Sequence, residues 1–253
     1  MKDRPTGRSS MTTTSQGRAK ASRAGSASRA RLDRDTIIAA GLELAAVPGT
    51  TSISVRDLGA RLGADPTAIY RHFRSKEQLM EALLDELIGR CVASVTADPE
   101  DWRARVRQLS DVTLDLFARY PAIGVEATVL TTHGPGELDA VELMLDAFSR
   151  AGLHGEDLVR HYALLASHTL SSAAGIARAR SERGSVDAED SPWIDGPLLA
   201  DPRTHPLITS VSTLLADLQD RDLFRLGVEA VIQSAERTAA ASARPASGAD
   251  PVD

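Results

Sequence analysis

The segment from Ser54 to Lys76 constrains the fold more than any other part of the chain. Its pattern predicts two short helices around a sharp turn at Gly63, because glycine adopts the backbone angles that such turns need. Ser54 is placed to cap the first helix, and Asp65 followed by Pro66 is a typical start for the second. This arrangement is the helix-turn-helix, whose second helix enters the major groove of DNA.

The second helix of this unit leaves polar and basic side chains on its outer surface. Ile69 and Phe73 stand four residues apart and are expected to face the core. The other positions offer a hydroxyl, a methyl group, a phenol, a guanidinium and an imidazole, which can contact base edges and phosphates. Taken singly, they could equally be solvated residues of a short helix. With polar groups at the starts of the flanking helices, they predict a DNA-binding set: Ser54, Arg56, Pro66, Thr67, Ala68, Tyr70, Arg71, His72 and Lys76.

Two motifs in this region resemble a known family. One is the run RDTIIAAGLELAAVPG, and the other is L-G-x-x-x-x-x-I-Y-x-H-F-x-S-K, formed by Leu62, Gly63, Ile69, Tyr70, His72, Phe73, Ser75 and Lys76. The segment from about Arg34 to Leu87 resembles the DNA-binding domain of the TetR family of transcriptional regulators. Farther along, Phe224–Thr238 resembles the closing dimerisation helix of the subgroup nearest the tetracycline repressor.

The resemblance implies an all-α protein. It would consist of an N-terminal three-helix helix-turn-helix domain and a larger helical domain for ligand binding and dimerisation. We expect a disordered basic arm at residues 1–32, the DNA-binding domain at 33–78, the larger domain at 79–239 and a disordered tail at 240–253.

Positive charge is concentrated at the N-terminus. Residues 1–32 contain eight basic side chains and one acidic side chain, whereas the whole chain has a net charge of −6. This segment has almost no large apolar residue, so it cannot bury enough surface to offset its ordering entropy. It is either an arm that contacts phosphates or the minor groove, or a passive solubilising tail. The acidic remainder would be repelled by DNA, which favours docking through the N-terminal end.

Two long helices of the larger domain are candidates for a dimer interface. The helix near residues 156–181 contains a stripe of small residues, and the helix near 221–239 has a similar face. Two such helices from each of two chains could form a four-helix interface. The residues between them, 182–205, are rich in Asp, Gly, Pro and Ser, which predicts a long loop.

No combination of residues suggests catalysis, so we do not expect an enzyme. His161 and His168 stand seven residues apart on one helix, about 10 Å along its axis, which is too far for joint metal ligation. We therefore predict no metal and no cofactor, and treat both histidines as polar groups at a packed or dimer surface. Cys91 is the single cysteine, which is typical of a reducing compartment, and its apolar surroundings indicate an inert buried thiol.

The resemblance also implies a small-molecule site in the larger domain. Each candidate taken alone is better explained as ordinary core, but together they could line a cavity: Trp102, Phe117, Val129, Thr132, His133, Met144, Phe148, Tyr162 and His168. The loop at residues 131–136 resembles the region where tetracycline-responsive members hold a metal–drug complex, but it offers no clear set of metal ligands. We therefore expect neither tetracycline nor magnesium, and the effector stays open.

The expected function is that of a homodimeric, ligand-released repressor that binds a near-palindromic DNA operator. The sequence leaves two alternatives open. One is a transcriptional activator of the same family. The other is a helical ligand-binding protein whose DNA reader, the helix-turn-helix at residues 54–76, is vestigial. We expect the protein in the cytoplasm and associated with the nucleoid, because it has neither a secretory signal nor an apolar run long enough to cross a membrane.

Overall fold

The computed structural model describes residues 32–184, 191–194 and 196–243. Apart from Leu32, the predicted basic arm lies outside these residues, as does the predicted tail beyond residue 243. Within the described residues the chain is helical and forms no strand. None of the helices in these ranges combines the length and the apolar character that a bilayer span requires.

The helices follow one another with short connections, except between the eighth and the ninth. Their bounds are α1 Arg34–Ala45, α2 Val55–Leu62, α3 Pro66–Ile69, α4 Lys76–Ala93, α5 Trp102–Arg119, α6 Pro121–Gly124, α7 Pro135–Arg150, α8 Gly155–Arg183, α9 Pro206–Asp217 and α10 Asp220–Ser242. A 3₁₀ turn, Val125–Thr128, follows α6. The predicted all-α fold, with a small N-terminal helix-turn-helix and a larger helical domain, is confirmed.

Side-chain caps set the starts of the N-terminal helices. The hydroxyl of Ser54 accepts the backbone N–H of Asp57 and donates to its carboxylate. Asp33 and Ser75 cap α1 and α4 in the same way, each accepting an N–H three residues later. Because each cap satisfies a donor that the helix itself leaves unpaired, these boundaries can be read from the sequence.

Three boundaries differ from the sequence prediction. α10 continues to Ser242, so residues 240–242 are helical and do not belong to a tail. α3 ends at Ile69, and the chain then reaches Phe73 through further backbone turns, including the bond from the Phe73 N–H to the Ile69 carbonyl. α9 was not predicted. None of its residues is buried, so its apolar residues have no packed partner among the residues that the structure describes.

The larger domain has its core where α5, α7 and α8 pack together, with α10 against α5 and α8. Arg180 on α8 and Asp220 on α10 are both buried and form two hydrogen bonds, of 2.8 and 2.5 Å. A buried charge is tolerated when its partner satisfies it in this paired geometry. This pair therefore ties the end of α8 to the start of α10.

A ladder of ion pairs fixes α10 on α5. Acidic and basic residues spaced four apart on α5 face opposite charges on the antiparallel α10, in the pairs Arg103–Glu236, Arg107–Glu229, Asp111–Arg225 and Asp115–Arg221. A slip by one turn would bring Asp111 toward Glu229, so the ladder specifies the register. Each exposed pair contributes little to stability by itself.

Breaking the buried pair should destabilise the protein more than removing it altogether. Arg180→Met leaves the Asp220 carboxylate buried with its main partner lost, which should lower the free energy of unfolding by about 3–5 kcal/mol. Arg180→Met combined with Asp220→Leu should recover most of that loss. Urea unfolding at one fixed protein concentration measures both, and a double variant as unstable as the single one would contradict the account.

Candidate functional site

The helix-turn-helix is assembled around buried apolar side chains. Leu58 on α2, Ile69 on α3 and Phe73 after it are almost completely buried. Gly63, which ends α2, has a φ of 59°, in the left-handed region that glycine adopts without strain. The guanidinium of Arg34 on α1 lies 4.4 Å from the centre of the Phe73 ring, a cation–π contact that fixes the turn after α3 against α1.

The predicted DNA-binding residues lie on one continuous segment around α3 and on the first turns of α2 and α4. Arg56, Thr67, Tyr70, Arg71 and Lys76 are exposed. The remaining members of the set are half-buried: Ser54, Pro66, Ala68 and His72. The basic, aromatic and hydroxyl groups are thus accessible to a ligand as large as a duplex, and their contact with DNA stays a prediction.

The start of α3 is held by Asp65. Its carboxylate accepts the hydroxyl of Thr67 at 2.6 Å and the backbone N–H of Thr67 at 2.8 Å. These hydrogen bonds hold the pKa of Asp65 below its usual value. The Thr67 hydroxyl donates its proton to the cap. At the DNA surface Thr67 can therefore offer only its methyl group and the hydroxyl oxygen as a hydrogen-bond acceptor.

A cavity of about 90 Å³ lies in the larger domain between α4, α5, α7, α8 and the 3₁₀ turn. Its lining is mostly apolar, with Leu84, Ile88 and Cys91 of α4 on one side. The polar groups are hydroxyls of Ser110, Thr113, Thr132, Tyr162 and Thr169, together with the Glu137 carboxylate. None of the described residues that line it is Lys, Arg or His. An anionic molecule would find no counter-charge there.

Three of the predicted ligand-binding residues, Thr132, Met144 and Tyr162, line this cavity. Trp102, Phe117 and Phe148 do not line it, and their contact with a ligand stays a prediction. Trp102 and Phe148 are buried against each other with ring centres 6.1 Å apart. Phe117 is completely buried beneath Gly124, where an added methyl group would overlap its ring.

Val129, His133 and His168 also lie outside the lining of this cavity. Val129 is 75% exposed, and His133 is exposed at the loop that precedes α7. The ring of His168 stacks on Phe224 of α10, and its Nε2 lies 3.0 Å from the Phe224 carbonyl oxygen. A helical face, which predicts an inward position for His168, does not say which neighbouring helix the residue meets. The prediction for His133 rests on the resemblance of its loop to the ligand-binding region of tetracycline-responsive members.

The α4 residues of the cavity were missed because their spacing reads as ordinary core. Cys91 is buried there, and burial raises the pKa of its thiol to about 11 although Thr113 offers a hydrogen bond. This agrees with an inert thiol. Among the residues that the structure describes, no group of three or more His, Cys, Asp or Glu side chains could hold a metal ion.

Comparison with known proteins gives the same family for both parts of the chain. The family model described as bacterial regulatory proteins, tetR family, matches residues 37–83. The model described as Tetracyclin repressor-like, C-terminal domain, matches residues 96–237.

Individual relatives agree with these matches. The HTH-type transcriptional repressor Rv1353c of Mycobacterium tuberculosis is 27% identical over 226 residues, which cover 86% of this chain and 85% of the relative. A putative transcriptional regulator from Streptomyces coelicolor A3(2) has a TM-score of 0.67 at 24% identity, covering 82% of this chain and 98% of that structure. ActR of Streptomyces coelicolor in complex with actinorhodin has a TM-score of 0.66 at 17% identity, covering 83% and 99%.

Removing the guanidinium of Arg71 should weaken sequence-specific DNA binding. If this side chain reads a base, Arg71→Ala should cost about 1–3 kcal/mol of binding free energy on the preferred duplex. Arg90→Ala removes the same charge from the last turn of α4, where Arg90 pairs with Glu86, and should cost much less. Fluorescence anisotropy at one stated salt concentration measures both variants, and equal losses would contradict a specific role for Arg71.

The Cys91 thiol should react slowly at neutral pH. Its pKa of about 11 keeps it protonated, and the thiolate is the reactive form. In the unfolded chain the thiol ionises at its lower, ordinary pKa. Keeping the thiol neutral therefore contributes its full stability at pH values below that ordinary pKa, and this contribution is lost as the pH rises toward 11. Iodoacetamide labelling should therefore be far slower for the folded than for the unfolded protein at pH about 8. Equal rates would contradict burial.

Proposed function

Because the chain belongs to the TetR family of DNA-binding transcriptional regulators, we propose that it is a homodimeric repressor released from a near-palindromic operator by a small molecule. The observation that supports this most directly is that α4 connects the exposed residues around α3 to the cavity. α4 begins at Lys76, next to those residues, and its later turns supply Leu84 and Ile88 to the cavity wall.

Exposed faces on α8 and α10 support the homodimer. On α8 the exposed positions Ala163, Ser167, Ser171 and Gly175 follow one another at four-residue spacing and form a smooth stripe. On α10 the neighbouring exposed face includes Leu226, which is 66% exposed. Small residues allow a second helix to approach closely, and an isologous two-fold interface brings the same patch of both subunits into contact. The interface predicted from the sequence near residues 156–181 and 221–239 involves the same two helices. The α10 residues that suggested it are buried within the chain, so the exposed face with Leu226 takes their place in the proposal; the buried residues are Phe224, Val228, Val231 and Ala235.

The size of the cavity supports release by a ligand. A cavity of about 90 Å³ is smaller than typical ligand pockets, which are roughly 300–1,000 Å³. A ligand of ordinary size must therefore separate the walls, and α4 is one of them. Displacement of α4 would change the separation of the two readers, so that they no longer match successive major grooves about 34–36 Å apart.

The lining also limits the chemistry of the effector. Apolar walls with several hydroxyls and a single carboxylate fit a largely apolar, neutral or cationic molecule that can form a few hydrogen bonds. ActR, a structural neighbour, has been solved with actinorhodin, and several relatives are tetracycline repressors. The proposed effector of this chain is a molecule of that class, and the proposed mechanism needs no cofactor.

A repressor fits the relatives better than an activator does. Rv1353c, which is similar over most of the chain, bears the name of a transcriptional repressor. A vestigial reader is disfavoured because the exposed set keeps Tyr70, Arg71 and Lys76 on a capped and well-packed helix-turn-helix.

Selection of bound duplexes from a random pool tests the DNA-binding part of the proposal. At a stated salt concentration near physiological, we expect a near-palindrome whose half-sites are one helical turn apart. The Arg71→Ala protein should fail to enrich the same sequence. If only sequence-independent, salt-sensitive binding is recovered, the repressor proposal is wrong and the basic residues act nonspecifically.

A charge placed on the α8 stripe should separate the dimer without unfolding the chain. Ser167 is exposed, so Ser167→Arg leaves the subunit core intact but adds like charges across a two-fold interface. Ser149→Arg makes the same change at an exposed site on α7 and serves as the control. Sedimentation velocity should show a monomer for the first variant and a dimer for the second. A dimer in both cases would place the interface elsewhere.

A further inference from the structure

The N-terminus of α7 is capped by a residue from another helix. The N-cap position of α7 is Gly134, which has no side chain to accept the unpaired N–H groups of the first turn. The carboxylate of Asp85 on α4 takes this role. Its Oδ1 accepts the N–H of Glu137 at 3.0 Å, and its Oδ2 accepts the N–H of Gly136 at 3.2 Å. The negative charge also lies at the favourable end of the α7 dipole.

Glycines on both sides of Pro135 allow α4 and α7 to come this close. A methyl group on Gly136 would overlap the backbone carbonyl oxygen of Asp85, and one on Gly134 would overlap its carboxylate. A methyl group on Gly136 would also overlap the backbone nitrogen of Gly89, which lies one turn farther along α4. The two helices are therefore in backbone contact where the Asp85 side chain joins them.

This junction is continuous with the wall of the cavity. The hydroxyl of Thr132 lies 2.8 Å from Oδ1 of Asp85 and 3.0 Å from Oε2 of Glu137, so that one hydroxyl bridges two carboxylates. Both Thr132 and Glu137 line the cavity, whereas Asp85 lies behind them on the helix that leads to the reader. A molecule that displaces the first turn of α7 must either move Asp85 with it or break these hydrogen bonds.

We propose that Asp85 is a positioning residue that transmits displacement of the α7 N-terminus to α4, and that it thereby couples the cavity to the DNA reader. This inference rests on the proposed function, and it concerns the route of coupling. When the walls separate, α7 draws α4 along through Asp85. The competing route is direct pressure of the ligand on Leu84, Ile88 and Cys91 of α4.

A double-mutant cycle separates the two routes without an identified effector. Ala166 lines the cavity from α8, so Ala166→Phe fills it with a phenyl ring and imitates a bound ligand. Asp85→Ala removes the cap. Affinity for the selected duplex is measured for the unchanged protein, each single variant and the double variant, by anisotropy at one salt concentration. The factor by which Ala166→Phe lowers DNA affinity is then compared between the protein that has Asp85 and the protein that carries Asp85→Ala.

The expected result is that filling the cavity lowers DNA affinity about tenfold or more when Asp85 is present, and by less than about threefold when it is absent. An equal loss in both backgrounds would overturn the inference and favour direct pressure on α4, while leaving the proposed function intact. If Ala166→Phe has no effect even with Asp85 present, release by cavity occupation is itself wrong, and the inference is withdrawn with it.

Matched variants control for charge and for folding. Glu86→Ala removes the same charge from the next position of α4, where the side chain is exposed, and should preserve the full effect of Ala166→Phe. Gly134→Ala keeps Asp85 but forces its carboxylate away from α7, and the φ of −91° at this position suits alanine. It should reduce the effect as Asp85→Ala does. Circular dichroism and thermal unfolding identify any variant that is not folded, and Gly134→Ala then replaces Asp85→Ala in the cycle.

Discussion

The rest of the structure depends on α4 being packed on two sides at once. Toward the N-terminal domain, Leu83 is completely buried and lies against Gly41 of α1, where even a methyl group would overlap it. Toward the larger domain, Leu84 and Cys91 form part of the cavity wall. Close-packed interiors have low compressibility and transmit strain. The orientation of α4 is therefore set jointly by its packing against α1 of the N-terminal domain and by its packing in the larger domain.

The forces that hold the larger domain differ from one side to the other. α5, α8 and α10 are joined by the buried pair of Arg180 and Asp220 and by the ladder of ion pairs. The first turn of α7 instead depends on the Asp85 carboxylate, at a contact made of glycines. The fold thus combines three helices held in register by ion pairs with a junction held by hydrogen bonds from one carboxylate. In the proposed ligand-released repressor, the first part would carry the dimer and the second would respond to the ligand.

Local signals made the N-terminal part predictable. The caps at Ser54 and Asp65 and the turn at Gly63 are encoded within a few residues, and the structure places them as the sequence predicts. Asp33 and Ser75 cap α1 and α4 in the same local way. The larger domain was predictable as helices but not as a cavity. Phe148 and His168 have the right period to face inward, yet they meet other helices, because periodicity gives a face and not its neighbour.

Other features need contacts that are distant in sequence. Asp85 is one of several charged residues of α4, and its role becomes apparent only when α7 is seen to lack a side-chain cap of its own. Glycines on both sides of Pro135 were the available sequence signal, because they allow another backbone to approach closely. α9 has no buried residue in the single chain, so a search for helices with one face in the core could not predict it.

The most direct measurement of the central claim is the separation of the two readers in the dimer. A single cysteine replacing the exposed Ala60 on α2, in a Cys91→Ala background, allows one spin label per subunit, and pulsed electron resonance then reports the distance between the labels. We expect a well-defined distance that shifts to a new mean when Ala166→Phe fills the cavity. An unchanged distance distribution would contradict control of the reader by the cavity, whatever the route of coupling.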